Sequence, residues 1–146
     1  MKHIFLLADD DADDRELFCE ALETVDSSIT CYCADNGRTV LQMLDSKQPS
    51  EYPKLIFLDI NMPVMNGWEC LIQLKSHKAY RHIPVFIYTT SSHQREANIA
   101  FDLGADCFFT KPANYNELKS ILQLIANNME GDFLKAISHF DNIKSR

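Results

Sequence analysis

The chain has 146 residues, 46% of them hydrophobic, which is enough to bury one core and too little for two full-sized domains. A net charge of −7, with basic residues scattered along the chain, excludes the electrostatic footprint of a nucleic-acid or anionic-membrane binder. No apolar run approaches transmembrane length, so a soluble, cytoplasmic protein is expected.

In chain order, the first apolar run is Ile4 to Ala8. It follows a lysine but is too short for a secretory leader and ends in aspartates, so it reads as a strand. Phe18, Ala21, Leu22 and Val25 then recur at helical spacing. A second strand, Ile29 to Ala34, alternates more than the others and suits an edge; Asp35-Asn36-Gly37 reads as a turn. The polar stretch Ser46 to Lys54, with two prolines, predicts a surface loop before a third strand at Leu55 to Leu58. Asn66 with Glu69 opens a helix, and a fourth strand covers Ile83 to Tyr88. Ser91 with Gln94 opens the next helix, which Gly104 closes in a left-handed conformation. A fifth strand, Cys107 to Phe109, leads to Asn114 with Glu117 and a helix buried through Leu118, Ile121, Leu122 and Ile125.

Five strands alternating with helices, four of them nearly unbroken apolar runs, predict an α/β fold: a doubly wound, five-stranded parallel sheet with helices on both faces. This domain is expected over residues 1–128. After an interruption at "NNMEGD", Phe133, Ala136, Ile137 and Phe140 predict a short helix. Residues 129–146 therefore read as a helical extension, either a cap folded on the domain or a docking or homodimer surface. No output domain fits within them.

Five cysteines, Cys19, Cys31, Cys33, Cys70 and Cys107, are odd in number and mostly embedded in apolar stretches, so reduced, buried thiols are expected. Cys31 and Cys33 share one strand face, which raises a metal or redox reading; the absence of a CxxC or a nearby Cys-His set argues against it.

Function in an open parallel sheet gathers beyond the carboxyl ends of the strands. Strand one is followed there by Asp9 and Asp10, strand three by Asp59, strand four by Thr89, and strand five by Thr110, Lys111 and Pro112. Three convergent carboxylates repel one another unless a cation sits among them. Oxygen ligands with room for phosphate favour Mg²⁺. Beside such an ion a carboxylate can attack a phosphoryl group and form an aspartyl phosphate. Asp59, ending the central strand, is the expected nucleophile. Asp9 and Asp10 would hold the metal, with an oxygen added by the backbone carbonyl of Asn61, while Lys111 would pair with Asp59 before transfer and with phosphate after it, and Thr89 would hydrogen-bond the phosphate. Asp11, Asp13 and Asp14 are expected only to cap the first helix.

At "IFLLADD", "LIFLDINMPVMNGWE", "IPVFIYTTSS" and "GADCFFTKPA" the chain resembles the response-regulator receiver domains of two-component signalling, over about residues 2 to 127. The "TSS" is similar to that of single-domain receivers, including some paired with phytochrome-like kinases. The resemblance implies a flavodoxin-like strand order 2-1-3-4-5, a phosphoryl group accepted by Asp59 from a sensor histidine kinase or phosphotransfer protein, Mg²⁺ bound by Asp9, Asp10, Asp59 and the Asn61 carbonyl, and phosphate bound by Thr89 and Lys111. It also implies a cis bond before Pro112, an aromatic switch at Phe108 that turns inward as phosphate draws Thr89, and signalling to a downstream protein through the face formed by the fourth helix, fifth strand and fifth helix. Ala113 and Thr90 depart from the usual bulky and small residues; Thr90 would narrow access to Asp59. Two other readings are a phosphohydrolase similar to the haloacid dehalogenase group, which would need an acid/base Asp where Asn61 stands, and a receiver-like module that is never phosphorylated.

Overall fold

Short runs of large apolar residues build the centre of the molecule in a computed structural model that describes residues 3–146. Met1 and Lys2, the first residues of the expected domain, lie outside the described residues. The strands are β1 (Ile4–Ala8), β2 (Thr30–Ala34), β3 (Leu55–Leu58), β4 (Val85–Thr89) and β5 (Cys107–Thr110), followed at the end of the chain by β6 (Ile143–Ser145). They pair in the order β2-β1-β3-β4-β5-β6, all parallel except β5 with β6. Every residue of β3 and β4 is buried, as unbroken apolar runs require when helices cover both faces. β2 is the edge its alternation suggested.

Helices α1 (Ala12–Val25), α2 (Gly37–Asp45), α3 (Gly67–Ser76), α4 (Gln94–Asp102) and α5 (Tyr115–Asn127) fill the crossovers. Alternation along each strand divides the core in two. One half sets Leu6, Ile56, Leu58, Ile87 and Phe108 against Leu44, Leu71, Leu74 and Ala97 of α2, α3 and α4. The other sets Phe5, Leu7, Phe57, Phe86 and Phe109 against Phe18, Leu22, Ile121 and Ile125 of α1 and α5. Phe57 is its hub, meeting Phe18, Phe86 and Tyr88 edge-on at 4.8 to 6.1 Å between ring centres.

The helix starts follow side-chain chemistry. Asp11 caps α1 by accepting from the Asp13 and Asp14 N–H groups, and Asn36 and Asn114 cap α2 and α5. Asn66 and Glu69 form a reciprocal capping box on α3. Gly104 closes α4 with φ 106°, a conformation open to glycine and strained for other residues. The expected Ser91 cap differs. The α4 N-cap is His93, which caps with no side-chain hydrogen bond, while the Ser91 hydroxyl donates to Glu96 instead, at 2.5 Å.

The tail departs from the five-strand expectation. The predicted helix is present as α6 (Phe133–Ile137), with Ile137 fully buried, and β6 then adds an antiparallel strand to β5. Three residues are too few to show a periodicity. What holds them is a clamp: Thr110 N–H donates to the Asn142 carbonyl at 2.9 Å and Asn142 Nδ2 donates to the Thr110 carbonyl at 2.8 Å. Ile143, opposite Phe109, closes the core. Residues 129–146 thus fold onto the domain as a cap over the β5 edge, which an open sheet leaves as a pairing hazard. Among the described residues, no helix is long and apolar enough to cross a membrane.

Candidate functional site

The carboxyl ends of β1, β3, β4 and β5 form one rim. Asp9 directly follows β1 and Asp59 directly follows β3, held level by Asp9 N–H to the Ala34 carbonyl (3.0 Å) and Asp59 N–H to the Ala8 carbonyl (2.9 Å). Parallel pairing therefore extends one residue past each strand and sets the two carboxylates side by side. Asp10 stands next to them but is exposed. Carboxylate oxygens of Asp9, Asp10 and Asp59 all lie within 4.8 Å of one another.

Lys111, just past β5, reaches into this group. Its Nζ lies 2.7 Å from Asp9 Oδ2, 2.8 Å from Asp14 Oδ2 and 3.3 Å from Asp59 Oδ2, and 5.4 Å from the centre of the Tyr88 ring. Burial pulls the Lys111 pKa down, but the hydrogen bond to Asp14, the close ion pair with Asp9 and the charge of Asp59 outweigh it, so the ammonium is held charged. Asp59 is the most distant of the three partners. Burial raises its pKa to about 6, Asp9 adds to the rise, and Lys111 with the Ile60 N–H (2.8 Å to Oδ1) only partly opposes it.

Asp9 is completely buried. Its Oδ1 accepts the Asp11 N–H at 3.0 Å, whereas Oδ2, though close to Lys111, is out of line for a hydrogen bond and accepts none. A buried carboxylate oxygen left in that state, beside two more carboxylates, fits a hard cation.

The structure brings Asp9, Asp10, Asp59 and Lys111 together as the sequence suggested. Thr89 ends β4 on the same rim and is buried; its carbonyl accepts the Lys111 N–H at 2.7 Å, and its hydroxyl accepts the Ser91 N–H at 3.3 Å. The Thr110 hydroxyl is committed to the Ser91 carbonyl at 2.7 Å, tying the β4–α4 loop to β5. Asn61 lies in the exposed loop after Asp59.

Two expectations need correction. No cis peptide bond occurs among the described residues, so the Lys111–Pro112 bond is trans; Lys111 is positioned instead by its strand-like bond to Thr89 and its three carboxylate partners. Phe108, expected to turn inward, is already fully buried in the α2–α3–α4 half of the core. A ring without a hydroxyl has no polar atom to keep at the surface.

Two positioning residues escaped the sequence reading. Asp14 shares Lys111 with the acidic pair; its place four residues after Asp10, one helical turn on, was the available signal. Gly67 opens α3 so close to Asp59 that an added Cβ would lie 2.1 Å from the Asp59 carbonyl oxygen, and its N–H bonds the Ile60 carbonyl at 2.8 Å. The loop between them carries Val64 at φ 67°, a conformation disfavoured for a β-branched residue.

The family model described as "Response regulator receiver domain" matches residues 5–123. The response regulator Rcp1 of Synechocystis sp. is 30% identical over 82% of this chain and 84% of its own length. The phosphorylated cyanobacterial phytochrome response regulator RcpA superposes with a TM-score of 0.78 at 28% identity, covering 87% of this chain and 93% of that one. The Mn²⁺-bound form of Rcp1 gives 0.73 at 28% identity, covering 86% and 92%. Other relatives are longer: the chain spans 48% of the probable transcriptional regulator ycf29 of Pyropia yezoensis, which is 34% identical over 78% of this chain.

Proposed function

The chain belongs to the response regulator receiver domain family, whose members act in signalling and bind a divalent metal in their acidic pocket, and on that premise we propose that it accepts a phosphoryl group on Asp59 in a Mg²⁺-dependent reaction. The observation that carries this reading is the contact of one lysine, Lys111, with Asp9, Asp14 and Asp59 around a desolvated carboxylate.

Attack requires the ionised form of Asp59. With a pKa of about 6 it is mostly a carboxylate at neutral pH, yet poorly solvated, and so is a better nucleophile than one stabilised by water. An Asp59 oxygen forms the new O–P bond as the N–P bond of a phosphohistidine donor breaks, and the departing imidazole keeps the electron pair. The Ile60 N–H holds Oδ1 and fixes the carboxylate plane. The Lys111 ammonium is within reach of the incoming charge, and Thr89 ends the adjacent strand as a phosphate-binding hydroxyl. Asp9, Asp10, Asp59 and the Asn61 carbonyl would hold Mg²⁺, which when bound neutralises charge on the transferring phosphoryl group.

Receiver domains in general interact with histidine kinases or phosphotransfer proteins; here such a protein is the proposed donor. The proposed output is a change in the α4–β5–α5 face that a downstream protein reads. Because Phe108 is already inside, that change would start from repacking around a buried ring.

The test is incubation with acetyl phosphate and Mg²⁺, followed by mass spectrometry. One phosphoryl adduct on Asp59 is expected, absent with EDTA. Equal labelling of a folded Asp59→Ala variant would sink the assignment, and sustained turnover of phosphate esters would favour the phosphohydrolase.

A further inference from the structure

A second cluster of chemically active side chains lies away from the acidic rim. Cys31 and Cys33, two residues apart on β2, point to the same face, in register with Phe5 and Leu7 of β1. Cys19 comes down on them from α1. Its Sγ lies 2.8 Å from that of Cys31 and 3.1 Å from that of Cys33, and the three sulfurs lie within 4.8 Å of one another. All three residues are half-buried, whereas Cys70 and Cys107 are sealed in the core.

The Cys19 thiol hydrogen-bonds to Cys31 and shares a hydrogen bond with Cys33, so the three sulfurs converge on one point. A disulfide would use two of the sulfurs, but Cys19 stands almost equally near both partners. One bound cation uses all three. We propose that Cys19, Cys31 and Cys33 form a trithiolate site for a soft monovalent cation, Cu(I).

Thiolate sulfur selects soft metals. Among the described residues no histidine, carboxylate or fourth cysteine joins the group, so the tetrahedral set of a structural zinc site is incomplete. Cu(I), with a filled d shell, is satisfied by three sulfurs in a plane. Metal–sulfur bonds of about 2.3 Å set such sulfurs about 4 Å apart, so a small rotation of the Cys19 side chain opens the cluster for entry.

Charge acts unevenly on the three thiols. Hydrogen bonds from Cys19 and Cys31 hold the Cys33 thiol well below the usual thiol range, and Arg15, one helical turn before Cys19, favours that thiolate further; hydrogen bonding and burial push the Cys31 thiol up and Cys19 is raised to about 11, so these two give up their protons only as the metal binds. Arg15 Nη1 also donates to the Asp9 carbonyl at 2.7 Å, so one guanidinium adjoins both clusters. Binding changes no oxidation state: three Cu–S bonds form, the remaining thiol protons go to solvent, and the ligand that delivered Cu(I) departs.

The experiment titrates the reduced, full-length chain with Cu(I), supplied anaerobically as its acetonitrile complex, against a chromophoric Cu(I) chelator. One equivalent is expected, with a near-ultraviolet thiolate-to-Cu(I) band and protection of Cys19, Cys31 and Cys33 from iodoacetamide. Cys33→Ser should lower affinity by more than the roughly 10–100-fold typical of losing an outer-sphere partner. Cys19→Ala, on a different element, is the second variant in case the first does not fold. The proposal is overturned if the chelator retains all the copper, if both folded variants bind as the parent does, if equimolar Zn(II) displaces the copper, or if titration yields a Cys19 disulfide in place of a complex.

Discussion

Replacing Asp59 by asparagine should stabilise the metal-free protein at neutral pH. The native pKa of Asp59 is about 6 against 3.8 for the free side chain, with burial as the largest cause. Between those values the folded protein holds a proton that the unfolded chain has lost, so stability falls as pH rises from about 4 to about 6 and stays lowered above that. Each pH unit is worth about 1.4 kcal/mol, which makes the full penalty about 3 kcal/mol. With Asp59 8% exposed, solvent screening reduces this little. Asparagine keeps the shape and still accepts the Ile60 N–H, but carries no charge. Urea unfolding in EDTA should show Asp59→Asn more stable by about 2–3 kcal/mol at pH 7.5, with the gap closing toward pH 4. Mg²⁺ should stabilise the parent more than the variant and narrow the gap. A variant no more stable than the parent at pH 7.5, or a gap independent of pH, would show that burial does not raise the Asp59 pKa in the folded protein.

Lys111→Met leaves the buried Asp9 carboxylate without its cation and should destabilise by about 3–5 kcal/mol at pH 7.5 in urea titrations, with part of the loss restored by Mg²⁺. Asp14→Asn frees Lys111 to pair more strongly with Asp59, so the Asp59 pKa should fall below about 6 when its carboxyl is followed by NMR; an unchanged value would show that Asp14 does not compete for the lysine. Val64→Gly removes left-handed strain from an exposed side chain and should raise stability by about 1 kcal/mol in thermal unfolding.

How much of this was legible depends on the range of the signal. Asp9 and Asp59 were readable because each follows an apolar run, and parallel strands bring their carboxyl ends to one rim. Asn66, Asn114 and Gly104 were readable because caps act within three or four residues. Ser91 misled because its hydroxyl found Glu96 instead of the helix end. The strand β6 gave no periodic signal, since its stability rests on Asn142 meeting Thr110, 32 residues away. The Lys111–Pro112 bond is trans where the resemblance implied cis, and nothing in the local spacing distinguishes the two.

Asp14 and Cys19 carry the same lesson. Both sit on α1, where local rules explain an aspartate as a helix-start residue and a cysteine as part of an apolar face. Those rules read only neighbours along the chain. The amino-acid sequence alone determined the α/β alternation, the acidic rim and the family, because periodicity, caps and strand-end residues act locally and topology does the rest. Tertiary contacts alone set how Lys111 divides its charge among three carboxylates, how the tail closes the sheet edge, and how Cys19 meets Cys31 and Cys33. Those outcomes depend on side chains from distant segments reaching the same few ångströms of space, and one-dimensional spacing does not encode that distance.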